Sequence, residues 1–234
     1  MVATKDKMNI HEHHRSRLRA KFLKDADVLE EHEALEILLY SSQKRVNTNP
    51  IARRLIQKFG SIAGVFDAEY ESLLEVEGIG EQSATLLKLQ ALLCRMYMVD
   101  KQEVDQKIRL TPQNAGSYIV SHFYGYTKEV FKLFCLRADC SVICAETLST
   151  GTMDSVAVYP REVIQKALDT KAVYVILAHN HPNGTMVASQ SDIEMTKELE
   201  QALAFVQVRL IDHVIVSGNQ YISLANHYHV FERE

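Results

Sequence analysis

No apolar run in these 234 residues approaches the roughly 18 needed to cross a bilayer. The chain also lacks a basic segment followed by an apolar one at its start. Neither a secretory leader nor a membrane span is expected, and a cytoplasmic location is. Cysteine is scarce: Cys94, Cys135, Cys140 and Cys144 are too few for a disulfide framework in a chain this long. No two of them stand at Cys-x2-Cys spacing, which excludes a zinc knuckle or a deaminase centre. They read as reduced, mostly buried thiols. An excess of positive charge is missing too. The net charge is −4, with 14 basic against 15 acidic residues through position 100 and 12 against 15 beyond it. Charge alone therefore predicts no strong nonspecific grip on nucleic acid. Repeats and low-complexity tracts are absent.

What is present is 47% hydrophobic content, enough for one sizeable core or two small ones. From Glu31 to Met98 the apolar residues recur at three and four, as in Leu35-Ile37-Leu38-Leu39 and Ile51-Leu55-Ile56. Residues 1–99 are thus expected to form a small all-α domain, with a polar linker over 100–110. Thr111-Pro112 predicts an N-cap with proline in the first helical turn, opening a second domain over 111–234. There the pattern predicts a helix to about Tyr124, strands at 129–137 and 142–150, a helix from Pro160 to Thr170 and a strand at 173–178. A further helix and strands near 207–217 and 220–224 complete an α/β layer, a mixed sheet with flanking helices.

The densest chemistry is His179-Asn-His181-Pro-Asn-Gly-Thr-Met-Val-Ala-Ser189-Gln-Ser-Asp192, which follows the apolar run Val173–Ala178. Two residues apart at a strand end, the histidines point to one side while the chain stays extended. Ser189 reads as an N-cap and Asp192 as a first-turn carboxylate, so a helix start folded over the strand end brings Asp192 to the imidazoles. Two His and one Asp suit Zn²⁺ and leave a fourth position for water, whose pKa can fall to about 7 there. Ser-x-x-Asp is equally an ordinary capping box. His-x-His also occurs at His11/His13 and His227/His229, but neither pair follows a buried strand. His32-Glu-Ala-Leu-Glu36 starts like a zinc helix and fails at its last ligand. For a general base, Glu129 at the edge of a strand competes with Glu146, Asp154 and Glu162 on sequence alone.

The pattern His179-x-His181-Pro182-x6-Ser189-x2-Asp192 resembles the JAMM (JAB1/MPN/Mov34) metalloenzymes. With Pro160-Arg161-Glu162 upstream and Asp212-His213 downstream it is similar to their RadC branch. The resemblance implies zinc held by His179, His181 and Asp192, with Ser189 assisting the oxyanion. It also implies that Glu129, at the head of Lys128-Glu-Val-Phe-Lys-Leu-Phe-Cys-Leu136, acts on the metal-bound water without binding the metal. Met186 and Ala188 stand where the family usually carries prolines, which implies a less rigid loop.

Leu73-Leu-Glu-Val-Glu-Gly78-Ile-Gly80-Glu-Gln-Ser-Ala84 resembles a helix-hairpin-helix, whose turn can present N–H groups to a phosphate. Glu75, Glu77 and Glu81 oppose that use, and the same hairpin can be a plain αα connection. Arg15, Arg17, Arg19, Lys21 and Lys24 form a separate basic stretch. The sequence thus points to a zinc-dependent metallopeptidase or isopeptidase with a peptide or protein substrate. The alternative is a DNA-associated repair or recombination accessory, with weak DNA contact through the N-terminal domain. In that case the JAMM domain would be a binding module.

Overall fold

Leucines and isoleucines three and four apart close the first core. In a computed structural model describing residues 2–44, 46–103, 108–151 and 158–228, α1 (Val2–Lys24) comes first and they lie on α2 (Glu31–Leu39), α3 (Asn49–Phe59), α4 (Ile62–Asp67), α5 (Tyr70–Leu74) and α6 (Glu81–Glu103) or in the turns between these. Leu35, Leu39, Ile51, Leu55, Val65, Leu73 and Leu87 are buried together. Glu36 is buried among them and is satisfied by Tyr40, Asn49 and His14, as a buried carboxylate must be. The turn from α5 to α6 depends on Gly78, at φ +93°, where an added Cβ would sit 2.8 Å from Ile51 Cδ1.

The chain folds as two compact units, Met1–Leu93 and Cys94–Glu234. The polar stretch expected as a linker has other uses. Asp100–Glu103 completes α6, and Arg109 bridges to Ser141. The helix expected from Thr111 starts later, as α7 (Ala115–Ser121) with Asn114 at its N-cap position. Asn114 Oδ1 accepts from Thr111 N, making 111–114 a turn that absorbs Pro112. A turn over 122–125, with Gly125 at φ +74°, then ends the helix short of the expected Tyr124.

The second unit is a five-stranded mixed sheet of β1 (Val130–Leu136), β2 (Val142–Thr150), β3 (Tyr174–Asn180), β4 (Arg209–Ser217) and β5 (Gln220–Ser223), in the order β2-β1-β3-β4-β5. Only the β3/β4 pair is parallel. Period-2 alternation sorts β1 into two cores. Val130, Phe134 and Leu136 face α7, while Phe131, Leu133 and Cys135 face α8 (Pro160–Asp169) and α9 (Gln190–Phe205). A short α10 (Leu224–His227) follows β5.

A parallel β3/β4 pair needs a crossover, and α9 supplies it. The N-terminus of α9 is thereby brought to the carboxyl end of β3, where α/β sheets place their ligand sites.

Candidate metal centre

β3 carries His179 and ends at Asn180, and His181 follows while its N–H still pairs with Val216 O at 2.8 Å. Extended backbone therefore keeps both imidazoles on one side, with their Nε2 atoms 2.9 Å apart. Asp192 reaches them from the first turn of α9. Its Oδ1 is 3.4 Å from His179 Nε2 and its Oδ2 is 3.9 Å from His181 Nε2. The three ligand atoms lie within 4.8 Å of one another, the one such group among the described residues.

The donor chemistry fits a divalent metal. A carbonyl can only accept, so His181 Nδ1 must carry the proton it donates to Thr185 O at 2.9 Å. A neutral His181 then presents a bare Nε2 to the site. Burial is the main reason the pKa of His179 is pushed down to about 4; His181 lowers it further and Asp192 pulls the other way. His179 is therefore neutral at pH 7, the form that ligates. Two imidazoles and a carboxylate suit zinc and leave room for one more ligand.

Asp192 is fixed by the capping box at the head of α9. Ser189 N and Ser189 Oγ donate to Asp192 Oδ2 at 2.8 and 2.7 Å, and Asp192 N donates back to Ser189 Oγ. The hydroxyl proton of Ser189 is thus spent on Asp192, and the hydroxyl must rotate to reach a substrate. The loop is held without prolines at Met186 and Ala188. Ala188 is buried against Ile215 and Leu224, and its N–H donates to Tyr228 OH.

Glu129 immediately precedes β1, outside the ligand group. Burial raises its pKa; the nearby His181 lowers it and Asp192 raises it. In the antiparallel β1/β3 ladder Phe131 pairs with His179, so Glu129, two residues back, falls at the register position of His181. Its position is set by a residue that sequence reasoning missed. Asn180, between the two histidines, accepts from Val130 N (2.8 Å) and donates to Lys128 O (3.1 Å). One amide thus grips the backbone on both sides of Glu129.

His213 and Thr196 were missed as well. His213 on β4, fully buried, lies 2.8 Å from His179 through its Nε2 and 2.6 Å from Thr196 Oγ1 through its Nδ1. Phe131 stacks on the His179 ring at 5.9 Å. The Asp212-His213 dipeptide was visible in the sequence, but its place beside His179 depends on the β3/β4 register, Leu177 opposite His213.

Neither Glu146 nor Glu162 belongs to this group. Glu146 pairs with Lys166 at 2.8 Å, Glu162 is exposed in the first turn of α8, and Asp154 lies outside the described residues. His13 is exposed and His227 bonds to Ser223 O, while the side chains of His11 and His229 lie outside the described residues.

In the N-terminal unit, two glutamates of the Gly78 turn are paired with α3: Glu75 with Lys58 at 2.8 Å and Glu77 with Arg54 at 3.7 Å. Part of the basic stretch is structural. Arg15 donates to the carbonyls of Gln43, Lys44 and Val46 and lies over the Tyr40 ring, and Lys21 pairs with Glu33. A cleft of about 570 Å³ beside the turn is lined by Gln43, Lys44, Gly80 and Glu81, among others.

Comparison with known proteins agrees with this architecture. Residues 110–229 match the RadC-like JAB domain and residues 8–85 the UPF0758 N-terminal domain. A UPF0758 protein of Fusobacterium nucleatum subsp. nucleatum is 35% identical over 217 residues, covering 90% of this chain and 94% of that protein. The JAB fold is associated with metal-dependent hydrolases in general. With the β3–α9 junction carrying His179, His181 and Asp192, and the domain match spanning that junction, the chain belongs to the RadC family.

Proposed function

We propose that this chain is a zinc-dependent hydrolase of peptide or isopeptide amides. The observation that carries the reading is the convergence of His179, His181 and Asp192 within 4.8 Å, beside a carboxylate that is not itself in the group. Zinc held by those three side chains would supply a Lewis acid and would lower the pKa of a bound water to about 7. Glu129, its pKa raised by burial, takes a proton from the attacking water and returns it to the departing amine nitrogen. Asn180 fixes the backbone on either side of Glu129. Ser189, once its hydroxyl turns away from Asp192, donates to the carbonyl oxygen as it gains charge.

The test is Glu129→Gln in the full chain, assayed on a panel of isopeptide-linked and C-terminal peptide amides. Zinc content should stay at the wild-type level while turnover falls about 10²–10⁴-fold. Loss of zinc in this variant would make Glu129 a ligand and refute the mechanism. Undiminished turnover would hand the base role to another group.

A further inference from the structure

We infer that Thr196 and His213 are positioning residues that set the tautomer of His179, so that its Nε2 faces the metal with a bare lone pair. The inference rests on the metal-binding reading above. Thr196 Oγ1 lies 2.5 Å from Asp192 O, the carbonyl four residues back on α9. A carbonyl can only accept, so the single hydroxyl proton of Thr196 is committed there. Toward His213, at 2.6 Å, the oxygen can then only accept, and His213 Nδ1 must carry a proton. The His213 ring is wholly buried, where an imidazolium would bear the cost of desolvation. In the neutral ring the second nitrogen is bare, so His213 Nε2 accepts from His179 Nδ1–H at 2.8 Å. With that proton on Nδ1, His179 Nε2 is left free to ligate.

The relay runs from β3 to β4 to α9 and ends on the backbone of Asp192, so one ligand of the centre fixes the electronic state of another. Buried partners of this kind around a metal typically contribute 10–100-fold in affinity.

The experiment uses the full chain, with zinc affinity measured by competition against a chromophoric chelator for wild type, Thr196→Val, Thr196→Ser and His213→Gln. Imidazole ¹⁵N spectra of the zinc-free proteins report the tautomer of His179. Thr196→Val is nearly isosteric and the carbonyl it frees keeps its helical partner, but His213 Nδ1 loses its buried partner, so melting should fall by a few degrees. Zinc binding should weaken about 10–100-fold, and His179 should lose its pure Nδ1–H form. Thr196→Ser should restore both. His213→Gln, which keeps an acceptor on the same side chain, should fall between.

Wild-type affinity together with an unchanged Nδ1–H signal in Thr196→Val would overturn the inference. If the wild type binds no zinc, the metal reading fails on its own and the spectra decide the relay. An Nδ1–H tautomer lost in Thr196→Val supports it, and an Nε2–H tautomer in the wild type refutes it.

Discussion

Replacing Asn180 by alanine isolates the clamp that ties Glu129 to the ligand strand. The substitution deletes two hydrogen bonds, one from Val130 N and one to Lys128 O. Their costs differ. Val130 is completely buried, so its N–H is left without a partner, at about 1–3 kcal/mol. Lys128 is exposed, and its carbonyl can be rehydrated at little cost. The expected loss is about 2 kcal/mol, or roughly 5–10 °C in melting temperature for a unit of this size. Asn180→Asp keeps the acceptor for Val130 N but sets a carboxylate against Lys128 O, and should melt between the two. Scanning calorimetry of the full chain reads the stability, and zinc content should not change because no ligand is touched. Turnover should fall further than stability explains, since Glu129 loses its fixed approach. An alanine variant that melts within about 1 °C of wild type and turns over normally would show that the clamp holds nothing.

His122 gives a test by pH. Its Nε2 has no hydrogen-bond partner among the described residues, and burial, helped by Lys132 and Arg95, pushes its pKa down to about 4 from 6.5. The unfolded chain therefore takes up this proton near pH 6.5 and the folded chain only near 4. The contribution is complete above pH 6.5 and is lost as pH falls toward 4, about 3 kcal/mol in all. Urea unfolding of His122→Phe between pH 7 and 5 should show a slope shallower than wild type by about 1 kcal/mol per pH unit on average; an identical slope would contradict the argument. Gly78→Ala should destabilise the N-terminal unit by more than about 1 kcal/mol, from positive φ and the close approach to Ile51. Gly80→Ala, whose added Cβ meets nothing within 4 Å, should be near neutral, and equal melting of the two variants would refute the difference. Ser189→Ala should lose about 1 kcal/mol of helix-cap stability and weaken zinc binding by unpinning Asp192. A variant with wild-type melting and affinity would show the capping box to be inert.

The grouping of His179, His181 and Asp192 was legible because it is local. Fourteen residues carry all of it, and one strand, one turn and one capped helix suffice to assemble it. Strand periodicity likewise located β1, β2 and β3 to within a residue or two. Glu129 was legible only through the family resemblance, since nothing near it in sequence ties it to residues fifty positions away. Asn180, His213 and Thr196 were not legible as site residues. Their roles come from strand register and from a helix laid over the sheet, neither of which a local pattern encodes. The helix expected at Thr111 failed for a local reason: Asn114, three residues on, offers a competing side-chain acceptor that closes a turn first. In the basic stretch of α1, Arg15 and Lys21 have intramolecular partners that a local pattern does not encode.

Metal analysis of the purified full chain tests the central claim most directly. Wild-type protein should hold about one zinc per chain, the stoichiometry of a single three-ligand site. His179→Ala combined with His181→Ala should hold none, while His227→Ala combined with His229→Ala should bind as wild type does. Equal zinc in the wild type and the 179/181 double variant, or none in either, would contradict the assignment.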